Sequence, residues 1–135
     1  MNKLFPIVLA LLFFSCDEDN PITPDTTAPI VTITFPLDNA TLSAQTTISV
    51  NVVDDNDIDS VIFLVNGDEV FTDTEASYEY SWDICALDAG DVSLLVNAVD
   101  SAGNVGVSDL LTYTVVGEYD CAQVCGGESL VDECG

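Results

Sequence analysis

Residues 48–67, I-S-V-N-V-V-D-D-N-D-I-D-S-V-I-F-L-V-N-G, constrain the fold more than any other stretch of the chain. Ile48, Val50 and Val52 alternate with Ser49 and Asn51, and Val61, Phe63 and Val65 repeat at the same period of two. That period places one set of side chains on one face of an extended chain, so each run predicts a strand burying one side. Between them, Asp54, Asp55, Asp57 and Asp59 make a loop too charged for a core. Asn66-Gly67 suits a two-residue type I′ turn, in which both residues must accept positive φ, and a third strand is expected directly after it.

The remaining composition permits one domain of ordinary size with tails: 135 residues, 48% of them apolar, are enough for one real core. Charge excludes more than it suggests. Twenty-four acidic residues stand against a single basic one, Lys3, and there is no histidine. If Lys3 leaves with a cleaved leader, no cationic side chain remains, and carboxylate repulsion is relieved only by solvent, salt or bound cations. No Lys or Arg is then left to meet phosphate, so nucleic acid is excluded as a partner. A Ser or Cys nucleophile would lack a His or Lys base, so an enzyme is not expected.

Taken in order, the chain begins with one positive charge and an apolar run over 4–14, too short to span a bilayer as a helix and read as a signal peptide over 1–16. Phe13-Phe14-Ser15-Cys16 resembles a bacterial lipobox, which implies a diacylglyceryl anchor on Cys16 and the membrane as a partner. The acidic Asp17-Glu18-Asp19 after it resembles the surface-export signals of some Gram-negative lipoproteins. Together these imply an extracytoplasmic protein of the bacterial cell envelope, held at the outer membrane or cell surface. Residues 17–27, rich in Pro and Thr without apolar period, read as an extended tether.

Strands are then expected at 30–35 (A), 47–53 (B), 59–65 (C), 69–72 (C′), 78–82 (E), 92–99 (F) and about 107–116 (G). Tyr78, Tyr80 and Trp82 share one face, and Leu94, Val96 and Ala98 point inward. Short strands with turn signals at regular spacing predict an all-β protein, a β-sandwich of about 90 residues. A-P-I-V-T-I-T-F-P (28–36), V-V-D-D-N-D-I (52–58), V-I-F-L-V-N-G (61–67), S-W-D (81–83) and A-V-D-S-A-G-N (98–104) occur in that order. With these signposts the segment 28–117 resembles the bacterial immunoglobulin-like domains. The resemblance implies an immunoglobulin-like β-sandwich of about seven strands, A-B-C-C′-E-F-G, serving as a non-catalytic structural or adhesive module of a surface protein. The departure is D-I-C-A-L-D-A-G (83–90), where Cys85 replaces the family's usual Thr and Asp. Residues 118–135 resemble the start of a Cys/Gly-rich D-C-x-x-x-C-G-G repeat array, and the sequence is expected to be a fragment of a longer protein.

Three constellations are candidates for chemistry. In such a sandwich the B–C loop (Asp54, Asp55, Asp57, Asp59), the C′–E loop (Asp73, Glu75) and the F–G loop (Asp100, Asn104) meet at the end where the tether enters. Hard oxygens from several loops are what Ca²⁺ takes, six to eight at a time, while the competing reading is a set of ordinary solvated turns. Cys85, Cys121, Cys125 and Cys134 are an even number in an oxidising compartment and read as disulfides. The E–F loop and the end of strand G share the far end of the sandwich, which brings Cys121, or alternatively Cys125, within reach of Cys85. Zinc is disfavoured by the spacing and the lack of histidine. Finally, Ile62, Leu64, Leu95 and Val99 point away from the core on neighbouring strands, either a partner interface or scattered surface apolars. Two functions remain open at this level. One is a lipid-anchored spacer or adhesive module with a protein or glycan ligand. The other is an accessory domain, glycan-binding or spacing, of a larger polysaccharide-active enzyme.

Overall fold

The computed structural model describes residues 22–116, and the leader, the lipidation candidate Cys16, the cysteines 121, 125 and 134 and the repeat at 118–135 lie outside the described residues. Among the described residues nine strands occur in chain order: β1 (Ile30–Phe35), β2 (Thr41–Leu42), β3 (Thr46–Val53), β4 (Ile58–Val65), β5 (Asp68–Asp73), β6 (Glu79–Trp82), β7 (Gly90–Asp100), β8 (Val105–Val107) and β9 (Leu111–Val115). A single 3₁₀ turn, Ile84–Ala86, separates β6 from β7. The strands form two sheets, β1-β3-β6 and β2-β9-β7-β4-β5, with β8 also paired to β7.

The alternation in the sequence becomes the division between core and surface. One sheet contributes Val31, Ile48, Val50 and Trp82, and the other Val61, Phe63, Val65, Leu94, Val96, Ala98 and Tyr113, all buried. Side chains of period two from both inner faces fill the space between sheets, the arrangement that makes a sandwich stable. Trp82 and Tyr113 meet edge to face across that space, ring centroids 6.0 Å apart. On one open side Phe71 of β5 stacks on Tyr80 of β6 at 5.0 Å, and Tyr80 also meets Phe63 at 5.6 Å. Those aromatic rings join the two sheets where no backbone pairing does.

The hairpin forms as the Asn-Gly dipeptide requires. Asn66 and Gly67 have φ of 53° and 88°, and Val65 pairs with Asp68. Asn66 also fixes the neighbouring strand, because its side-chain oxygen accepts the Ser93 amide at 3.0 Å while its own amide donates to the Ser93 carbonyl at 2.9 Å.

Two features correct the expected strand list. The chain crosses between sheets after Phe35, and β2 pairs in parallel with β9, Thr41 opposite Thr114 and Leu42 opposite Val115. The expected single strand G is divided into β8 and β9. At the break the buried Ser108 turns its hydroxyl to accept the Val96 amide at 3.0 Å and donate to the Asp109 carbonyl at 2.9 Å. A side chain thus replaces a ladder hydrogen bond, and the strand bends without leaving a buried amide unpaired. Beside the break, Gly106 lies so close to the backbone of Pro29 that a Cβ would collide with the Pro29 carbonyl oxygen.

Candidate functional site

The acidic end is assembled from three separate segments. Asp100, at the end of β7, is buried, and its Oδ1 accepts the amides of Ala102 and Asn104 at 2.9 and 2.8 Å. Its Oδ2 accepts Nδ2 of Asn104 at 2.8 Å. Burial alone would raise the Asp100 pKa, but the hydrogen bonds with Asn104, then Asp25 and Ala102, outweigh it and hold the carboxyl below its ordinary value. Asn104 then reaches back to the tether, donating at 3.2 Å to both the carbonyl and the Oδ2 of Asp25. Asp25 is the residue that sequence reasoning missed. It sits in a Pro/Thr-rich segment 79 positions from its partner, with only its carboxylate as a signal.

Held there, Asp25 joins Asp54 and Asp55 of the β3–β4 loop, and one carboxylate oxygen from each lies within 4.8 Å of the others. Both oxygens of Asp54 are closed off from solvent and have no hydrogen-bond partner. Removal from water raises the Asp54 pKa; the adjacent amides of Asp55 and Asn56 pull it down without closing a hydrogen bond, and the charges of Asp55 and Asp100 raise it further. The other expected ligands are placed differently. Asp57 gives its backbone carbonyl to the Ser101 amide at 2.8 Å, joining the two loops, and Asp59 is exposed at an irregularity where β4 pairs with β7. Asp100 and Asn104 build the loop and position Asp25, their polar atoms already engaged with one another.

The two remaining constellations are elsewhere. Ile62, Leu64, Leu95 and Val99 are half-buried on the outer face of the larger sheet, alternating with buried Val61, Phe63, Val65, Leu94, Val96 and Ala98. Val105 and Val107 of β8, 51% and 56% exposed, flank Gly106 and pair with Val99 and Asn97, which extends this face. Cys85 lies in the 3₁₀ turn, where Asp83 caps its amide at 3.1 Å, and the cysteines expected to pair with it lie outside the described residues. At the same end, Phe35 is 54% exposed beside an open groove of about 580 Å³ that runs along 35–47.

With this geometry in place, comparison with known families is decisive: the profile described as a bacterial Ig domain matches residues 29–107. The chain belongs to the bacterial Ig domain family. Its solved structural neighbours include the fibronectin(III)-like modules of CbhA from Clostridium thermocellum, at 23% identity and a TM-score of 0.60, covering 66% of this chain and 98% of that one. Another is an endo-beta-1,4-mannanase from Thermotoga petrophila, at 16% identity and a TM-score of 0.56, covering 70% of this chain but 21% of the enzyme. At these identities the likeness is one of fold. No curated protein matches the chain. Bacterial Ig and fibronectin(III)-like modules are typically non-catalytic and extracellular. In this bacterial Ig domain the side chains of Asp100, Asn104 and Ser108 hold loops and strands together through their hydrogen bonds.

Proposed function

We propose that this bacterial Ig domain is a non-catalytic spacer of an extracytoplasmic surface protein, anchored through lipidated Cys16 and carrying a functional region at some distance from the membrane. The observation that supports this reading is where the chain enters and leaves. Asp25 is held beside Asp100, at the last residue of β7, whereas Val115 pairs with Gly90, at the first residue of β7. The eleven residues of β7 span those two ends, ten rises of about 3.3 Å or about 33 Å from the first residue to the last. A domain entered at one end and left at the other adds its full length to the separation between its two neighbours in the chain. Joining β-sandwich strands rather than flexible polypeptide makes that length rigid.

A second reading, an accessory domain that itself contacts glycan, is favoured by Phe35, an exposed aromatic ring beside an open groove. Sugar-binding surfaces use such rings as platforms, and the groove lies away from the acidic end. One experiment separates the two. Residues 29–116 would be replaced, in the full protein on its native cell, by an unrelated β-sandwich of equal length. A spacer role requires that the activity of the attached region and its distance from the membrane be retained. Loss of surface adhesion or of glycan retention after the exchange, reproduced by Phe35→Ala alone, would replace the spacer reading with the binding one.

A further inference from the structure

We propose that Asp25, Asp54 and Asp55 form a Ca²⁺ site that clamps the N-terminal tether onto the β3–β4 loop. This goes beyond the spacer reading, because it makes the junction between tether and sandwich responsive to a cation.

Two independent observations meet at this place. The first is convergence: three carboxylates from two segments distant in sequence, the tether and the β3–β4 loop, place an oxygen each within 4.8 Å of one another. The second is the state of Asp54, whose two oxygens are shut off from solvent and accept no hydrogen bond. A shielded carboxylate is retained when it is paired or coordinates a metal. Among the described residues, 22–116, there is no Lys, Arg or His to form an ion pair with it. The neighbouring groups make the requirement stricter: Asp55 and Asp100 add charge of the same sign.

The tether's participation is built in. Asn104, itself fixed by Asp100, donates to both the carbonyl and the carboxylate of Asp25 and so presents that residue to the loop. The donor set selects the ion. Three carboxylates are hard oxygen ligands, and an open polar cleft of about 430 Å³ between residues 23–27 and 55–56 admits the water that completes a Ca²⁺ shell. Zn²⁺ prefers nitrogen and sulfur ligands, and Mg²⁺ demands a compact octahedron and keeps most of its own water. Extracellular modules hold Ca²⁺ with dissociation constants of about 10⁻⁴–10⁻³ M. Occupancy therefore tracks millimolar external concentrations.

The test uses the mature full chain, freed of metal, melted in EDTA, in CaCl₂, in MgCl₂ and in NaCl, the three salts at matched ionic strength. At a Ca²⁺ concentration ten times the dissociation constant the melting temperature rises by about 5–10 °C beyond the NaCl value. Asp25→Asn removes that excess, and Asp88→Asn, on the opposite end, keeps it. Asp54→Asn gives a sharper signature: the variant melts above the parent in EDTA, because it no longer shields an unpaired charge, and below it in saturating CaCl₂. Amide exchange at Thr23, Thr26 and Thr27 slows on adding Ca²⁺ to the parent and not to Asp25→Asn. Equal shifts in CaCl₂ and NaCl overturn the site, as does a Ca²⁺ excess that survives both Asp25→Asn and Asp54→Asn. An equal response to MgCl₂ overturns the choice of ion.

Discussion

Tyr113 shows how much one side chain of this sandwich carries. Its ring lies in the core against Trp82, and its hydroxyl donates to the Pro36 carbonyl at 3.0 Å, where the chain crosses from one sheet to the other. Burial, with a smaller effect from the Asp38 carboxylate, pushes the Tyr113 pKa from its ordinary value near 10 up to about 12. A folded-state pKa raised above the unfolded one stabilises the fold fully below the unfolded value, and that stability is lost as pH rises through the folded one. The domain therefore keeps this contribution below pH 10 and loses it progressively between pH 10 and 12. Melting temperature measured over that range should fall in the parent and fall less steeply in Tyr113→Phe. A residual slope is expected from Tyr78 and Tyr80, whose pKa values burial also raises. At neutral pH the same substitution costs about 1 kcal/mol for the lost hydrogen bond. Identical pH slopes in the two proteins would show that the hydroxyl is solvated.

At the scale of elements, β4 and β7 are the centre of the larger sheet, and each has two very different faces. Val61 and Phe63 have no exposed surface, while Ile62 and Leu64 between them are half-buried on the outside. Phe63→Ala removes a ring enclosed by core and should cost about 3–5 kcal/mol. Ile62→Ser with Leu64→Ser, on the outer face, should cost markedly less in a urea melt and leave the spectroscopic signature of the fold unchanged. Equal losses would mean that the outer face is covered in the folded protein. The edge strand β5 is protected differently. Asp68, Glu69 and Asp73 lie along it, and charge at a sheet edge opposes pairing with a second copy. The larger sheet therefore ends in a strand that repels its own kind.

For the molecule as a whole, the excess of negative charge is a destabilising influence. The net charge is −23, and the described residues contain no cationic side chain to form an ion pair. Self-repulsion of that kind weakens the compact state and is screened by salt, with a Debye length of about 10 Å at 0.1 M. Raising NaCl from about 0.02 to about 0.5 M should therefore raise the melting temperature by several degrees in the presence of EDTA, as a graded response without saturation at a stoichiometric site. A flat response would mean that the carboxylates are spaced widely enough to be screened by water alone. This general effect is separate from the clamp at Asp25, which saturates and depends on the identity of the ion.

The sequence by itself determined the inward faces of β3, β4, β6 and β7, the hairpin at Asn66-Gly67 and the excess of acidic over basic side chains. Each of these is a local property: side-chain alternation has a fixed period, a type I′ turn needs particular residues at two adjacent positions, and composition needs no coordinates. The tertiary structure decided which distant segments meet. Two-residue β2 carries too little pattern to be read and exists because β9 lies alongside it. The division of β8 from β9 depends on Ser108 finding the Val96 amide, and a serine in an apolar run does not reveal its partner. Asp100 and Asn104 were legible as neighbours of the acidic loop, but their role as scaffold comes from how completely they satisfy each other. Asp25 was illegible for the same physical reason: a carboxylate in a tether acquires meaning only when folding brings it against Asn104 and Asp54, and no local period records a contact across 79 residues.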